Sequence, residues 1–295
     1  MDLVTPAYRA GALLARRAPA RLAAATARRL GRTAYLAAGE RRAQVERNLR
    51  RVHPELSERE LHRLAIETFE SYARYYEESF RLPGLSLAEI DAGFRPEGYE
   101  RLKAALAEGK GAIMALPHLG GWEWAGFWLA RIAQIPVTVV VERLEPPALF
   151  EWFAALRRSL GMEVVPLGPE AGTATARALK AGHVLALLCD RDLTGTGPEV
   201  EFFGERTTLP GGPATLALRT GAPLLPTAIY FDGDVRTGVV LDPIDTTRQG
   251  RLRDDVQRIT QDLAHALEEL IRRAPEQWHL LQPNWPSDHE VPARR

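Results

Sequence analysis

From about residue 98 onward, short apolar runs alternate with stretches of helical period. Residues 112–116 are uninterruptedly apolar, and 137–141 are rich in β-branched side chains. Runs of that length and composition predict strands. Residues 163–166, 184–189, 224–230 and 237–241 read the same way. Between them, apolar positions recur every three or four residues at 121–133, 149–160, 173–180, 212–219 and 253–273, which predicts helices. The alternation predicts an α/β fold, a central mixed, mostly parallel sheet covered by helices on both faces.

The first hundred residues have a different texture. Leu13, Leu14, Leu22, Leu30, Tyr35 and Leu36 supply an apolar face among alanines and arginines, and Pro19 divides that stretch into two helices. Ser57 with Glu60 forms a capping box that opens a helix running to Arg81, before Pro83-Gly84. This helix carries Phe69, Tyr72, Tyr75, Tyr76 and Phe80 at helical spacing, a stripe that either packs in the core or meets lipid. The expected organisation is amphipathic membrane-surface helices over 1–36, a single domain over 37–286 and a flexible tail over 287–295.

Charge sharpens this picture. The formal net charge of the 295 residues is zero, which removes a global electrostatic case for nucleic acid. Residues 1–51, however, hold twelve arginines against Asp2, Glu40 and Glu46, a local charge of +9. Arg-rich amphipathic helices suit an anionic membrane surface, although such helices also simply cover a core with their arginines in solvent. No run approaches the roughly 20 apolar residues of a spanning helix, and there is no continuous signal-peptide core. The expected location is therefore the cytoplasmic face of the cell membrane, peripherally bound. Cys189 is the sole cysteine, so an internal disulfide and a Cys-rich zinc site are both excluded. Lysine occurs only at 103, 110 and 180, an Arg-over-Lys skew that fits a G+C-rich genome.

Ligands of α/β folds sit beyond the carboxyl ends of strands, and two strand ends carry chemistry. The run 112–116 ends on Pro117-His118, followed by Leu119-Gly120-Gly121-Trp122-Glu123. A histidine there is placed to act as a general base. Gly120 and Gly121 let a substrate approach the backbone, and the following helix start offers N–H donors to an oxyanion. Glu123, one turn in, is a candidate to orient the imidazole; the alternative is a capping histidine with a helix-dipole glutamate. The second strand end is Cys189-Asp190-Arg191-Asp192. Its acids can pair with Arg191, serve His118 from the next strand, or bind a metal as the D-x-D pair of a nucleotide-sugar glycosyltransferase. Gly211-Gly212-Pro213 opens a helix, a further anion or oxyanion candidate. Phe202-Phe203 can line an acyl tunnel or pack. Trp278-His279 and Trp285 form an aromatic cluster that closes the core or sits at a headgroup boundary, with His279 more in keeping with packing than catalysis.

Taken in order, these segments carry a family resemblance. His118-Leu-Gly-Gly-Trp-Glu123 resembles the H-x4-D/E motif of the lysophospholipid-acyltransferase-like superfamily, in the branch of the lipid A late acyltransferases and phosphatidylinositol mannoside acyltransferases. Arg47-Asn48-Leu49, Phe153-Ala154-Ala155-Leu156-Arg157, Asp190-Arg191-Asp192, Val200-Glu201-Phe202-Phe203-Gly204, Pro210-Gly211-Gly212-Pro213 and Pro275-Glu276-Gln277-Trp278-His279 resemble further elements of that branch, over about 40–285. The likeness is greater to the mannoside acyltransferases, actinobacterial enzymes. It implies transfer of a fatty acyl chain from acyl-CoA, as co-substrate and without other cofactor or metal, to the mannose 6-hydroxyl of a glycolipid acceptor. It also implies His118 as base, Asp190 or Glu123 as its partner, and Arg157 or backbone N–H groups as oxyanion donors. One departure stands out: the subfamily carries glutamate where this chain has Asp190, one methylene shorter. The rival readings are the metal-dependent glycosyltransferase, a lipid A-type or other lipid acyltransferase, and a non-catalytic lipid-binding protein.

Overall fold

A computed structural model describes residues 4–289. Seven strands form one sheet: β1 (Phe94–Glu97), β2 (Ala112–Leu116), β3 (Val137–Val141), β4 (Met162–Pro166), β5 (Val184–Leu188), β8 (Leu224–Asp232) and β9 (Val235–Val240). Their spatial order is β1-β9-β8-β2-β5-β3-β4. The β8–β9 pair is antiparallel and the other pairings are parallel, so the sheet is mixed and mostly parallel, as expected. A separate hairpin, β6 (Glu199–Phe202) and β7 (Glu205–Thr208), stands outside it.

Strand β2 divides the molecule into two cores, because successive side chains of a strand point to opposite faces. Ile113 and Ala115 join one cluster with α9 (Ala171–Lys180), α10 (Gly212–Thr220) and α11 (Leu252–Arg272). Ala112, Met114 and Leu116 join the other, with α6 (Tyr99–Ala107), α7 (Trp122–Arg131) and α8 (Pro147–Ser159). All five residues are buried, which is why this strand reads as a continuous apolar run.

The N-terminal helices add a third cluster. α1 (Val4–Arg17) and α2 (Ala20–Ala37) are separated at Pro19, and α3 (Gly39–Val52) leads to α4 (Glu58–Arg81), whose capping box at Ser57 and Glu60 is formed in full. Tyr35, Val45, Leu49, Leu61, Ala65 and Phe69 pack together there. The α4 stripe is packing: Phe69, Tyr75 and Phe80 are buried. α2 lies so close to α4 that a Cβ on Gly31 would stand 2.6 Å from the Phe69 carbonyl oxygen. The apolar face of α1 and α2 is thereby split. Alanines 12, 23 and 27 with Tyr35 face inward, whereas Leu13, Leu14, Leu22, Leu30 and Leu36 face out, with exposures from 49% to 74%. Among the described residues, no helix is long and apolar enough to cross a membrane.

The expected tail starts too early. Pro286–His289 forms a 3-10 turn, and buried Asp288 receives the Arg51 guanidinium at 2.9 Å and the Asn284 and Trp285 N–H groups at 2.9 and 3.1 Å. Those bonds tie residues 287–289 to the body; 290–295 lie outside the described residues.

Candidate active site

Register alone brings His118 and Asp190 together. β2 and β5 pair in parallel with Ala112 opposite Val184 and Leu116 opposite Leu188. The Cys189 N–H donates to the Leu116 carbonyl at 2.8 Å, and the same alignment carried two residues past each strand sets His118 across from Asp190. The imidazole Nδ1 lies 2.7 Å from Asp190 Oδ1, and the His118 N–H donates to Oδ2 at 3.0 Å. Asp190 reaches His118 despite being shorter than the subfamily's glutamate. The two differ in access: the His118 side chain is 30% exposed, whereas that of Asp190 is wholly buried. Burial works against the Asp190 charge. His118 close by, together with the donors on its oxygens, outweighs it and holds the carboxyl below its ordinary range. Among the described residues, none bonds to His118 Nε2.

The loop after His118 is held by the C-terminal segment. Gly120 donates to the Gln277 carbonyl at 3.0 Å, His279 donates to the His118 carbonyl at 2.7 Å, and Leu119 bridges to Trp278. Gly120 has φ +61, and a Cβ there would lie 1.9 Å from the Ile229 carbonyl oxygen, so only glycine fits. The Trp278 indole N–H donates to Asp190 Oδ2 at 2.7 Å, and the Asn284 amide donates to the Asp190 carbonyl at 3.0 Å. The segment is anchored in turn by the Arg47-Asn48-Leu49 element. Asn48 donates to the Leu280 carbonyl at 2.8 Å, and Arg47 reaches Asp288 at 3.3 Å. His279 is a packed histidine: its Nε2 meets Ser71 Oγ at 2.9 Å, and Tyr72, Tyr75 and Trp122 surround the ring. Burial, with His118 adding to it, pushes its pKa down to about 3.

Several expected site residues have other work. Glu123 does not partner the imidazole. It accepts from Arg157 Nε at 3.0 Å, also binds Nη2 of the same guanidinium, and takes the Tyr75 hydroxyl at 3.1 Å. Arg157 is correspondingly engaged by Glu123 rather than free for an oxyanion; burial opposes its charge, but Glu123 and Tyr75 raise its pKa further. This ion pair joins α7 to α8. It touches His118 only through packing, with Tyr75 stacked on Trp122 at 4.0 Å and the Trp122 ring edge-on to the imidazole at 5.8 Å. Phe202 and Phe203 pack in the core. Both are buried against Trp278, and the Phe202 ring also stacks on Trp285 at 5.7 Å.

Gly121 caps the start of α7 beside the dyad. Gly211 caps α10, whose other end at Gly221 approaches Lys110 just before β2. Gly211 and Gly212 therefore lie on the carboxyl side of the sheet, next to Pro198, but no hydrogen bond links them to His118 or Asp190 among the described residues. Arg191 has no ion pair among the described residues, and Asp192, expected to pair with arginine, instead caps its own loop. It accepts from the Thr194 N–H at 3.0 Å, the Thr194 hydroxyl at 2.8 Å and the Gly197 N–H at 2.7 Å. Asp190 and Asp192 are thus held by separate sets of donors and do not present a free D-x-D pair to one ion. The residues that sequence reasoning missed are Tyr75, Trp278 and Asn284. Trp278 stood out as part of an aromatic cluster, but nothing in its spacing pointed to Asp190.

The mostly parallel α/β sheet brings a histidine and a carboxylate together on adjacent strand ends, the pairing that the resemblance to acyltransferases implies for His118 and Asp190. The sequence model for bacterial lipid A biosynthesis acyltransferases matches residues 3–287. The chain is 42% identical over 231 residues to a phosphatidylinositol mannoside acyltransferase of Mycobacterium tuberculosis, an alignment spanning 76% of this chain and 71% of the relative. It is 40% identical over 248 residues to a protein of the same name from Mycolicibacterium smegmatis, spanning 83% and 80% of the two chains. This chain belongs to the bacterial lipid A biosynthesis acyltransferase family. Its mycobacterial relatives agree with the actinobacterial origin suggested by the Arg-rich composition.

Proposed function

We propose that the chain transfers a fatty acyl group from acyl-CoA to the mannose 6-hydroxyl of a phosphatidylinositol mannoside while resting on an anionic membrane surface. The observation that carries the chemistry is the partly exposed His118 with its Nδ1 on buried Asp190 and its Nε2 unbonded among the described residues. Nε2 takes the proton of the acceptor hydroxyl as that oxygen attacks the thioester carbonyl. Asp190 stabilises the imidazolium that forms. Arg157 is engaged by Glu123, and the N–H groups of His118, Leu119 and Gly120 are bonded to Asp190, Pro117 and Gln277, so the Trp122 and Glu123 N–H groups at the start of α7 serve as donors to the tetrahedral oxyanion. Collapse expels the CoA thiolate, a good leaving group with a pKa of about 8.5 for a free thiol; the proton held by His118 is then released to it. No step calls for a metal or covalent enzyme intermediate. The names of the mycobacterial relatives support the acceptor. The outward leucines of α1 and α2, set among arginines, support attachment to an anionic surface.

The test is thiol release from palmitoyl-CoA with a panel of acceptors: phosphatidylinositol mannoside, lipid A precursors and lysophospholipids. Release is expected with the mannoside, unaffected by chelators, and lost by ~10²–10⁴-fold in His118→Ala. Release that survives in His118→Ala, or no release with any acceptor, refutes the reading. A preference for a lipid A precursor would keep the reaction and replace the acceptor.

A further inference from the structure

The mechanism just proposed needs His118 in one tautomer, with its proton on Nδ1 and its lone pair on Nε2, and this inference rests on that reading. We infer that Trp278 is the residue that enforces the tautomer, acting through Asp190 as a positioning residue. A carboxyl group facing an imidazole can stand in either of two states, a carboxylate accepting from Nδ1–H or a carboxylic acid donating to it. It can also turn about its last torsion, which has a broad, two-fold profile. The partners of Asp190 Oδ2 tip the balance toward the carboxylate, because hydrogen bonds to the charged form favour it over the acid. They are the His118 backbone N–H at 3.0 Å and the Trp278 indole N–H at 2.7 Å. Both are donors only, and the indole nitrogen has no acceptor capacity in any protonation state. A proton on Oδ2 would face two N–H groups, and a proton on Oδ1 would discharge the carboxylate that those two donors stabilise. Asp190 is thereby kept an acceptor on that side, with Oδ1 aimed at Nδ1, 2.7 Å away. Neutral imidazole accepting nothing at Nδ1 must carry its proton there, which leaves Nε2 as the base.

The indole cannot yield its place easily. Trp278 is buried among Phe202, Phe203 and Trp285, with ring centroids 6.2, 5.6 and 6.4 Å away, and its backbone bridges to Leu119 beside the base. The bond thus connects the end of β5, the loop after β2 and the C-terminal segment at one atom. Trp278 is shielded from substrate, so its effect passes through the dyad alone.

The experiment uses the full chain in two measurements. In ¹⁵N-histidine-labelled wild-type protein, the His118 resonances, assigned by their loss in His118→Gln, are expected to report a neutral ring protonated at Nδ1. A ring protonated at Nε2 overturns the inference whether or not the protein transfers acyl groups, which separates its failure from that of the proposed reaction. Phenylalanine keeps most of the ring packing but lacks the donor. In Trp278→Phe the ring is expected to show a mixture of tautomers, with kcat for thiol release at least tenfold lower and KM for the acyl donor within twofold. Because Trp278 acts through the carboxylate, adding Trp278→Phe to Asp190→Asn is expected to lower kcat by less than twofold more. Wild-type kcat in Trp278→Phe, or the full single-variant loss reappearing in the double variant, overturns the inference. Should Trp278→Phe fold poorly, the wild-type resonance measurement still decides.

Discussion

Asp190→Asn changes one atom, and its consequence follows from the donors around that atom. An amide offers one acceptor oxygen and one donor nitrogen where the carboxylate offers two acceptors. Oδ2 receives the His118 N–H at 3.0 Å and the Trp278 N–H at 2.7 Å, whereas Oδ1 meets only the imidazole at 2.7 Å. Placing the new NH2 at the Oδ2 position would set it against two donors in a buried site, leaving the His118 N–H, the Trp278 N–H and the NH2 itself unsatisfied at about 1–3 kcal/mol each. Turning it toward His118 needs only that the imidazole accept at Nδ1. The second arrangement wins by several kcal/mol. It moves the imidazole proton to Nε2 and removes the lone pair that would take the acceptor's proton. Loss of a general base costs ~10²–10⁴-fold, and loss of the correct tautomer in an Asp–His pair lies at the upper end of that range. The stable arrangement leaves only the second N–H of the amide without a partner, so melting temperature should fall by only a few degrees. The assay is steady-state thiol release from palmitoyl-CoA, with kcat and KM resolved, beside a thermal melt. Asp192→Asn, which disturbs only a loop cap at Thr194 and Gly197, should cost less than tenfold. An Asp190→Asn protein that folds normally and keeps more than a tenth of wild-type kcat would refute the argument, as would an Asp192→Asn loss equal to it.

Three further outcomes follow from the same geometry. His279 is held neutral, its folded pKa pushed down to about 3 from an ordinary 6.5, so the unfolded chain binds the extra proton first. Stability should therefore fall as pH drops below about 6.5, by up to ~1.4 kcal/mol per unit, partly offset by Glu77, whose carboxyl burial raises to about 7; urea unfolding of His279→Gln should lose the acid-side slope relative to wild type, and parallel slopes would sink the claim. Gly31→Ala sets a methyl 2.6 Å from the Phe69 carbonyl oxygen, so it should destabilise by about 1–3 kcal/mol despite alanine's higher helix propensity; a higher denaturation midpoint would be evidence against the α2–α4 contact. Replacing Leu14, Leu22, Leu30 and Leu36 by serine removes apolar side chains worth about 1.5–3 kcal/mol each when buried, so affinity for anionic vesicles should drop by orders of magnitude while palmitoyl-CoA turnover with detergent-dispersed acceptor persists; unchanged vesicle binding would exclude the α1–α2 surface as the anchor. Substitution is a better probe than removing residues 1–36, because Tyr35 and the inward alanines cover α4.

The parts of the fold legible in the sequence are those whose periodicity reports burial. The strand over 137–141 was readable because its β-branched residues are packed by helices, and β2 because both of its faces are buried. The expected helix over 253–273 is met by α11 almost end to end, since its amphipathic period runs for several turns. The β6–β7 hairpin, β1, α5 (Leu87–Ala92) and α6 carried weaker signals. Each is short, and the small strands alternate with charged residues such as Glu199, Glu201 and Arg206 that leave no apolar run. His118 was legible as a strand-end histidine before two glycines, and Asp190 as an acid at a second strand end. Their pairing was not, because it depends on β5 lying beside β2 although β3 and β4 come between them in the chain.

The same reasoning explains why Glu123 was the attractive wrong partner. Sequence proximity favours it, five residues on from His118 and within the first turn of the helix. A helix start after two glycines, however, turns its first-turn side chains by roughly 100° per residue, and Glu123 faces α4 and α8, where Tyr75 and Arg157 receive it. A buried carboxylate must be paired wherever it lands, so the question a sequence leaves open is which cation or donor reaches it first. For Asp190 the answer is fixed by strand register and by a tryptophan 88 residues away. For Glu123 it is fixed by an arginine on the next helix, 34 residues on. Both separations are set by how the sheet is threaded, and His118 and Asp190 are the pair that the parallel register of β2 and β5 brings together, with His118 alone of the two reaching solvent.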